Sequence, residues 1–292
     1  MIDRQALRPL VLGFTLLISA VPAQSNDLAD ALSAATETVL NDGRYSTLYE
    51  KWFGAPLNTL GHPAPPCGAM AYPKLSASGP KTALQAVLDS GEIRFGFALL
   101  GPPYSVDDGG GPTGWDIELA VLLTNALSEA YGKPLRAKHV RVDGAPFPGR
   151  LLDALDGNAF DAALSDLAIT VERQRRADFS CPYLAVSFGL LSRCSGPAIA
   201  DANDANRSGV SVIILRRGFL NELADRHLDQ ATQVFVDDPQ EIPKALLENR
   251  AATALLPFPS IRAYQREHEE LCVQPFQVGP DGLRGIAVRK TP

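Results

Sequence analysis

Short apolar runs alternate with amphipathic stretches along most of the chain. Ile93, Phe95 and Phe97 alternate with smaller or polar residues over 93–97. Further apolar runs, bounded by Gly, Pro, Asp or Asn, occupy 139–142, 162–164, 188–192, 210–215, 234–236, 252–256 and 271–276, and each predicts a strand. Between them, apolar residues recur at helical spacing and predict helices over about 82–90, 117–131, 150–155, 219–228, 239–248 and 260–270. Upstream, Leu28, Leu32, Ala35 and Val39 mark one face of a helix behind Asn26, a residue type suited to an N-cap. Tyr45, Leu48, Tyr49, Trp52 and Phe53 form a second short amphipathic helix that stops at Gly54, and its aromatics are expected in the core. Strands that alternate with helices imply an α/β fold with mostly parallel sheets covered on both faces.

The punctuation between these elements adds detail. A Gly-rich hairpin precedes Trp115-Asp116, and Asp116 is expected to favour the N-terminus of the helix that follows. Residues 195–208 read as a polar loop. Residues 55–80 hold six prolines and Cys67, a composition that predicts an irregular connector. Residues 1–23 read as a secretory signal: Arg4 and Arg8 lead, 11–20 supplies a short apolar core, and Val21-Pro22-Ala23 offers small residues for cleavage. That core is too short for a comfortable membrane span, so no membrane insertion is expected after the signal is removed.

The chain has 292 residues, enough for two domains, and its 46% apolar and 21% charged composition is that of a globular protein. A net charge of −6 without any basic run argues against a nucleic-acid partner. Cys67, Cys181, Cys194 and Cys272 are an even set in an oxidising compartment, so disulfides are expected, with the pairing left open among three possibilities. No Cys-x-x-Cys pair favours a metal, and neither a metal nor another cofactor is expected. Gly-x-Ser-x-Gly, His-Glu-x-x-His and the P-loop are all missing, and His62, His139, His227 and His268 are scattered singly. Asp143 and Glu172 are the acids available as general bases, but their spacing favours neither, and an enzyme is not expected.

One stretch gathers the candidate chemistry. Over 160–183, "FDAALSDLAITVERQRRADFSCPY" reads as a short buried strand, a polar turn with Ser165, Asp166 and Thr170, a helical turn carrying Arg173, and an aromatic stop. A hydroxyl and a guanidinium this close at a strand's carboxyl end make a pocket for a small anion; the alternative is a surface turn with a solvated Arg. The stretch resembles the lobe-one signature of periplasmic solute-binding protein family 3, the amino-acid ABC transporter type. "GWDIELAVLLTNALSEAYG" resembles that family's Gly-Phe-Asp and long helix. "DLADALSAATETVLNDGRYSTLYEKWFG" resembles its closing segment, yet here it stands first, and "GLRGIAVRKTP" resembles the strand that precedes that segment. The resemblance implies a type II periplasmic-binding-protein fold, circularly permuted so that the family's C-terminal helix lies at the N-terminus. Permutation keeps a core intact when the old termini lay close together. The implied division is lobe 1 from 24–192 plus 276–292, with the connector at 55–80, and lobe 2 from 193–275.

In such a fold the ligand lies between the lobes, faced by the turns 98–104, 165–173, 216–219 and 257–260. The resemblance places Arg173 where the family grips a carboxylate, with Thr170 and Ser165 beside it, Tyr104 as the aromatic after Pro, Gly218 as the glycine whose N–H faces the ligand, and Phe219 in place of a hydroxyl residue. The departures are Ala168, where a hydroxyl is usual, Asp166, expected to pair with Arg173, and Pro257, where the family has the Asp that meets an α-ammonium. The implied function is an extracytoplasmic solute-binding protein that hands a small polar ligand, amino-acid-like or a carboxylate, to an ABC transporter permease. The alternative is a non-transport accessory protein on the same fold that binds a periplasmic protein partner such as a redox enzyme. Some relatives of the fold act as dehydratases or carry a wall-cleaving domain.

Overall fold

The computed structural model describes residues 26–54, 56, 70–76, 78–144, 147–216 and 218–291. Residues 1–23, read from the sequence as a secretory signal, and His62, Cys67 and most of the Pro-rich connector lie outside the described residues. In chain order the elements are α1 (Asp27–Asn41), α2 (Arg44–Phe53), α3 (Ala83–Ser90), β1 (Glu92–Phe97), β2 (Val106–Asp107), β3 (Pro112–Thr113), α4 (Trp115–Tyr131), β4 (Arg136–Arg141), α5 (Gly149–Asp156), β5 (Ala162–Ala163), α6 (Val171–Arg176), β6 (Ala177–Phe179), β7 (Leu184–Val186), β8 (Phe188–Arg193), α7 (Ala202–Ala205), β9 (Ser211–Leu215), α8 (Gly218–His227), β10 (Thr232–Val236), α9 (Glu241–Leu247), β11 (Thr253–Pro257), α10 (Phe258–Glu267), β12 (Leu271–Val273), β13 (Gly282–Arg284) and β14 (Ala287–Arg289).

Two sheets of five strands carry the architecture, in the orders β4-β1-β5-β14-β6 and β10-β9-β11-β8-β12. In the first, β4, β1 and β5 run parallel and β14 is antiparallel to β5 and β6. In the second, β10, β9 and β11 run parallel, with β8 antiparallel to β11 and β12 antiparallel to β8. Each sheet is therefore a parallel half extended by a pair of antiparallel strands, one of which (β14 in the first, β8 in the second) comes across from the other lobe. The short antiparallel pair β7–β13 joins the two sheets. β8 lies wholly within the second sheet, so the chain crosses between lobes ahead of Phe188 and not after 192. The reason lies in its sequence: Phe188, Leu190 and Leu191 are buried and pair with the apolar strand β11, where Leu255 and Leu256 are also buried.

Helices cover both faces of the first sheet, as its apolar runs require. α1, α3 and α4 pack over one face, and α5 covers the other with Leu151, Leu152, Leu155 and Phe160. Gly96, in the middle of β1, leaves room for Phe160: a Cβ there would overlap its ring. Thr82 and Gln85 form a capping box at the start of α3, and Gly91 and Gly132 end α3 and α4 in the left-handed conformation. α2 completes the core of this lobe. Tyr45, Tyr49 and Phe53 surround Trp115, with ring centroids 5.1, 5.8 and 5.0 Å from it. The Tyr45 hydroxyl donates to the Tyr183 carbonyl at 2.6 Å.

Asn26 precedes α1 but makes no side-chain cap. Its amide instead donates to the Arg289 carbonyl at 2.7 Å and to Asp178 Oδ2 at 3.0 Å, which ties the start of α1 to the end of β14. The stretch expected to be a plain polar loop over 195–208 holds α7, capped by Asp201 through Asn203 and Asp204. Among the described residues no helix is long and apolar enough to cross a membrane.

Cys194 and Cys272 form a disulfide, one of the pairings the sequence left open, and Cys181 is disulfide-bonded as well. The Cys194–Cys272 bond joins the ends of β8 and β12 across a separation of 78 residues, closing nearly the whole second lobe into a loop. Disulfides typically stabilise a folded domain by about 2–4 kcal/mol. Replacing both cysteines with Ser is expected to lower the melting temperature by about 5–10 °C, measured by circular dichroism.

Candidate functional site

A cavity of about 40 Å³ lies between the two sheets. All four turns expected to face a ligand contribute to its wall: Leu100 and Tyr104 from the first, Asp166, Ala168 and Arg173 from the second, Phe219 from the third, and Pro257 and Ser260 from the fourth. Phe188, Tyr264 and Arg284 complete it. A single water needs about 10–15 Å³ of such space, so the enclosed volume matches about three waters.

The seven residues singled out from the sequence divide by what they touch. Arg173, Asp166, Tyr104 and Phe219 line the cavity. Ser165 and Thr170 are outside its wall and hold the backbone instead. Ser165 is fully buried and its hydroxyl accepts from the Ala98 N–H at 3.0 Å, tying the first turn to the second. Thr170 is the N-cap of α6, its hydroxyl accepting from the Arg173 N–H at 3.2 Å. That cap orients the helical turn from which Arg173 projects. Gly218 starts α8. Asp143 pairs with Arg141 on the surface and Glu172 is exposed, away from the cavity.

The expected Asp166–Arg173 pair is not formed. Asp166 pairs with Arg284, whose Nε donates to Asp166 Oδ1 at 2.6 Å, with the Arg284 side chain buried and that of Asp166 11% exposed. Arg284 sits on β13, the strand that joins the lobes, and β13 lies beside the turn that carries Asp166: Ile169 N–H donates to the Leu283 carbonyl and Gly285 N–H to that of Leu167. Asp166 takes a left-handed φ of 44°, which an Asp tolerates and which aims its carboxylate at β13. Arg173 uses Nη1 to donate to the Ala168 carbonyl at 2.8 Å, and no carboxylate lies within ion-pair distance of it among the described residues. Arg284 was not foreseen as a site residue. Its signal in the sequence is a single cation between glycines at 282 and 285 in an otherwise apolar run.

Charge in the wall follows from burial. Burial, and then the like charge of Arg284, lower the Arg173 pKa to about 10, so it remains cationic at neutral pH. Burial also works against the Arg284 cation, but Asp166 and Tyr104 outweigh it and its pKa is raised. Two guanidiniums against one carboxylate leave the wall with an excess of positive charge, which favours an anion. Pro257 adds neither charge nor N–H there.

Behind the wall, Asp116 is buried in the first turn of α4, and neither of its oxygens finds a hydrogen-bond partner among the described residues. It stands in the first turn of α4, where the sequence placed it, but buried and not as a side-chain cap. Burial, then the Asp166 charge, push its carboxyl well above the usual range, and the Arg284 charge only partly opposes this. An acid whose folded pKa exceeds its unfolded value of about 3.9 holds its proton in the folded state longer than in the unfolded one. Stability is therefore lost as pH rises above about 4. Asp116→Asn is expected to raise the melting temperature near pH 7–8 and to converge on the wild-type value near pH 4, in thermal melts across that range.

Comparison with known proteins identifies the frame of this site. The model of the bacterial extracellular solute-binding proteins, family 3, matches residues 93–277. Cyclohexadienyl dehydratase of Pseudomonas aeruginosa is 29% identical over 207 residues, covering 69% of this chain and 74% of that enzyme. The crystal structure of an ancestral amino-acid-binding protein, AncCDT-1, described as a precursor of cyclohexadienyl dehydratase, superposes with a TM-score of 0.61 at 25% identity, covering 72% of this chain and 86% of its own. The cysteine-binding protein of Campylobacter jejuni shares the fold, with a TM-score of 0.59 at 22% identity over 71% of this chain and 80% of its own. With two lobes in the type II periplasmic-binding-protein arrangement and a matched segment that spans most of both, this chain belongs to the bacterial extracellular solute-binding proteins, family 3.

Proposed function

We propose that this protein is a periplasmic solute-binding protein that closes its lobes on a small carboxylate and delivers it to an ABC importer. One observation carries the reading. Arg173 lines an enclosed interlobe cavity with no carboxylate partner among the described residues, in a wall whose charge is otherwise balanced. Tyr104 and Phe219 supply apolar surface beside it, while Ser165, Thr170 and Gly218 shape the turns. The segment 1–23 serves as the export signal. Hinge motion about β7 and β13 admits the ligand.

The chain order is read as a circular permutation. The family match starts at residue 93, beyond α1 and α2. Those helices pack on the first lobe, and Asn26 bonds directly to Arg289. A short link between them is therefore geometrically free. A rearranged gene with 26–54 placed after 291 is expected to give a folded protein whose melting temperature stays within about 5 °C of the natural order. A product without a cooperative melt would remove this reading.

A second reading has a specific observation behind it, the likeness to cyclohexadienyl dehydratase: catalysis on the bound acid. It differs from the first in one readout, turnover of that enzyme's substrate, which the first reading expects to be absent. In the first experiment, the protein is melted with amino acids, small carboxylates, polyamines and sugars, beside Arg173→Ala. A ligand at about a hundred times its dissociation constant stabilises by about 2.7 kcal/mol, a rise of roughly 5–10 °C. The expected result is a rise with carboxylates that Arg173→Ala abolishes. No shift with any compound would sink the transport reading for those classes and favour the accessory protein that binds a protein partner.

A further inference from the structure

We infer that Arg284 is a second ligand-contacting residue, and that the cleft selects a small carboxylic acid bearing a further oxygen acceptor and no ammonium group. This rests on the carboxylate reading above and narrows it.

Arg284 is held from several sides, yet its hydrogen-bonding capacity is barely used. Nε donates to Asp166, and the guanidinium lies 5.5 Å from the centroids of both Phe188 and Phe219. Those contacts fix its plane and position through charge and ring faces. They consume one of five N–H donors. Nη1 is buried with no hydrogen-bond partner among the described residues. A buried donor left without a partner is costly, and native structures rarely leave one so. The side chain is 3% exposed and forms part of the cavity wall. An acceptor oxygen arriving in the cavity removes that cost. Gly282 makes the arrangement possible: a Cβ there would meet Nη1 at 2.5 Å and the Phe219 ring at 3.1 Å.

The division of labour between the two arginines follows from their partners. The Arg284 charge is matched by Asp166, whereas Arg173 donates to a backbone carbonyl and forms no ion pair among the described residues. The ligand's carboxylate therefore belongs to Arg173, and Arg284 donates to an uncharged oxygen, a hydroxyl or an oxo group. An ammonium would enter a wall of net positive charge and meet Pro257. The cavity's small volume, about 40 Å³, favours a small ligand.

Calorimetric titration of the whole chain with propanoate, lactate, pyruvate and alanine tests this. These probes differ mainly in the group beside the carboxylate. Lactate or pyruvate is expected to bind about tenfold or more tightly than propanoate, and alanine no more tightly than propanoate. Arg284→Met, and the charge-balanced pair Arg284→Met with Asp166→Asn for the case where the single variant does not fold, are expected to bring the lactate-to-propanoate ratio near one while propanoate still binds. Arg173→Ala is expected to lose every acid. Equal binding of propanoate, lactate and pyruvate by the wild type, tighter binding of alanine than lactate, or a preference that survives the loss of Arg284 overturns the inference and leaves the carboxylate reading standing. Failure of the wild type to bind any of the acids removes both.

Discussion

The Asp166–Arg284 ion pair is the constraint on which the cleft depends. It connects the turn after β5, in the first lobe, to β13, the strand that leads back from the second. A buried pair of this kind stabilises only when its geometry is good and its remaining donors are accommodated. Here the guanidinium gains two aromatic faces in exchange for water. Because Phe188 and Phe219 belong to β8 and α8, the same cation touches both lobes. It also sets the charge felt by Arg173 and, through Asp166, by the buried Asp116.

The walls of the cavity come from elements of both lobes. β7 and β13 are the short paired segments between the sheets. Away from them, contacts between the lobes among the described residues include Gly101 beside Pro239, where a Cβ would lie 3.1 Å away, and Arg266 of α10, which donates to the Phe53 carbonyl of α2 at 3.4 Å. Contacts that light are readily broken and re-formed. A ligand enclosed on all sides requires such a surface, since entry must separate walls that later exclude water.

Most of the fold was legible because it is written in local periodicity. β1, β9 and β11 are apolar runs of the right length, and α4 ends where Gly132 supplies the left-handed turn. What escaped was non-local. Asp166 and Arg284 are 118 positions apart, and nothing near Asp166 says that β13 will lie closer to it than Arg173 does. β6, β7 and β13 have three residues each, too short to leave a period. The four cavity-lining turns were legible as turns at strand ends, yet Ser165 and Thr170 looked like ligand contacts when their hydroxyls are committed to backbone N–H groups. A hydroxyl close to an Arg carries the same sequence signal whether it faces a ligand or caps the helix that bears the Arg.

The bond between Asn26 and Arg289 has a consequence for how the chain reaches its native state. The first sheet is finished by β14, and α1 packs against that strand. The first lobe therefore joins segments from opposite ends of the sequence and pays for long loop closure. The second lobe runs without interruption from β8 to β12. Contacts of large sequence separation form slowly, and chains of this size assemble domain by domain. The second lobe is thus complete in sequence while the aromatic core around Trp115 still lacks its last strand.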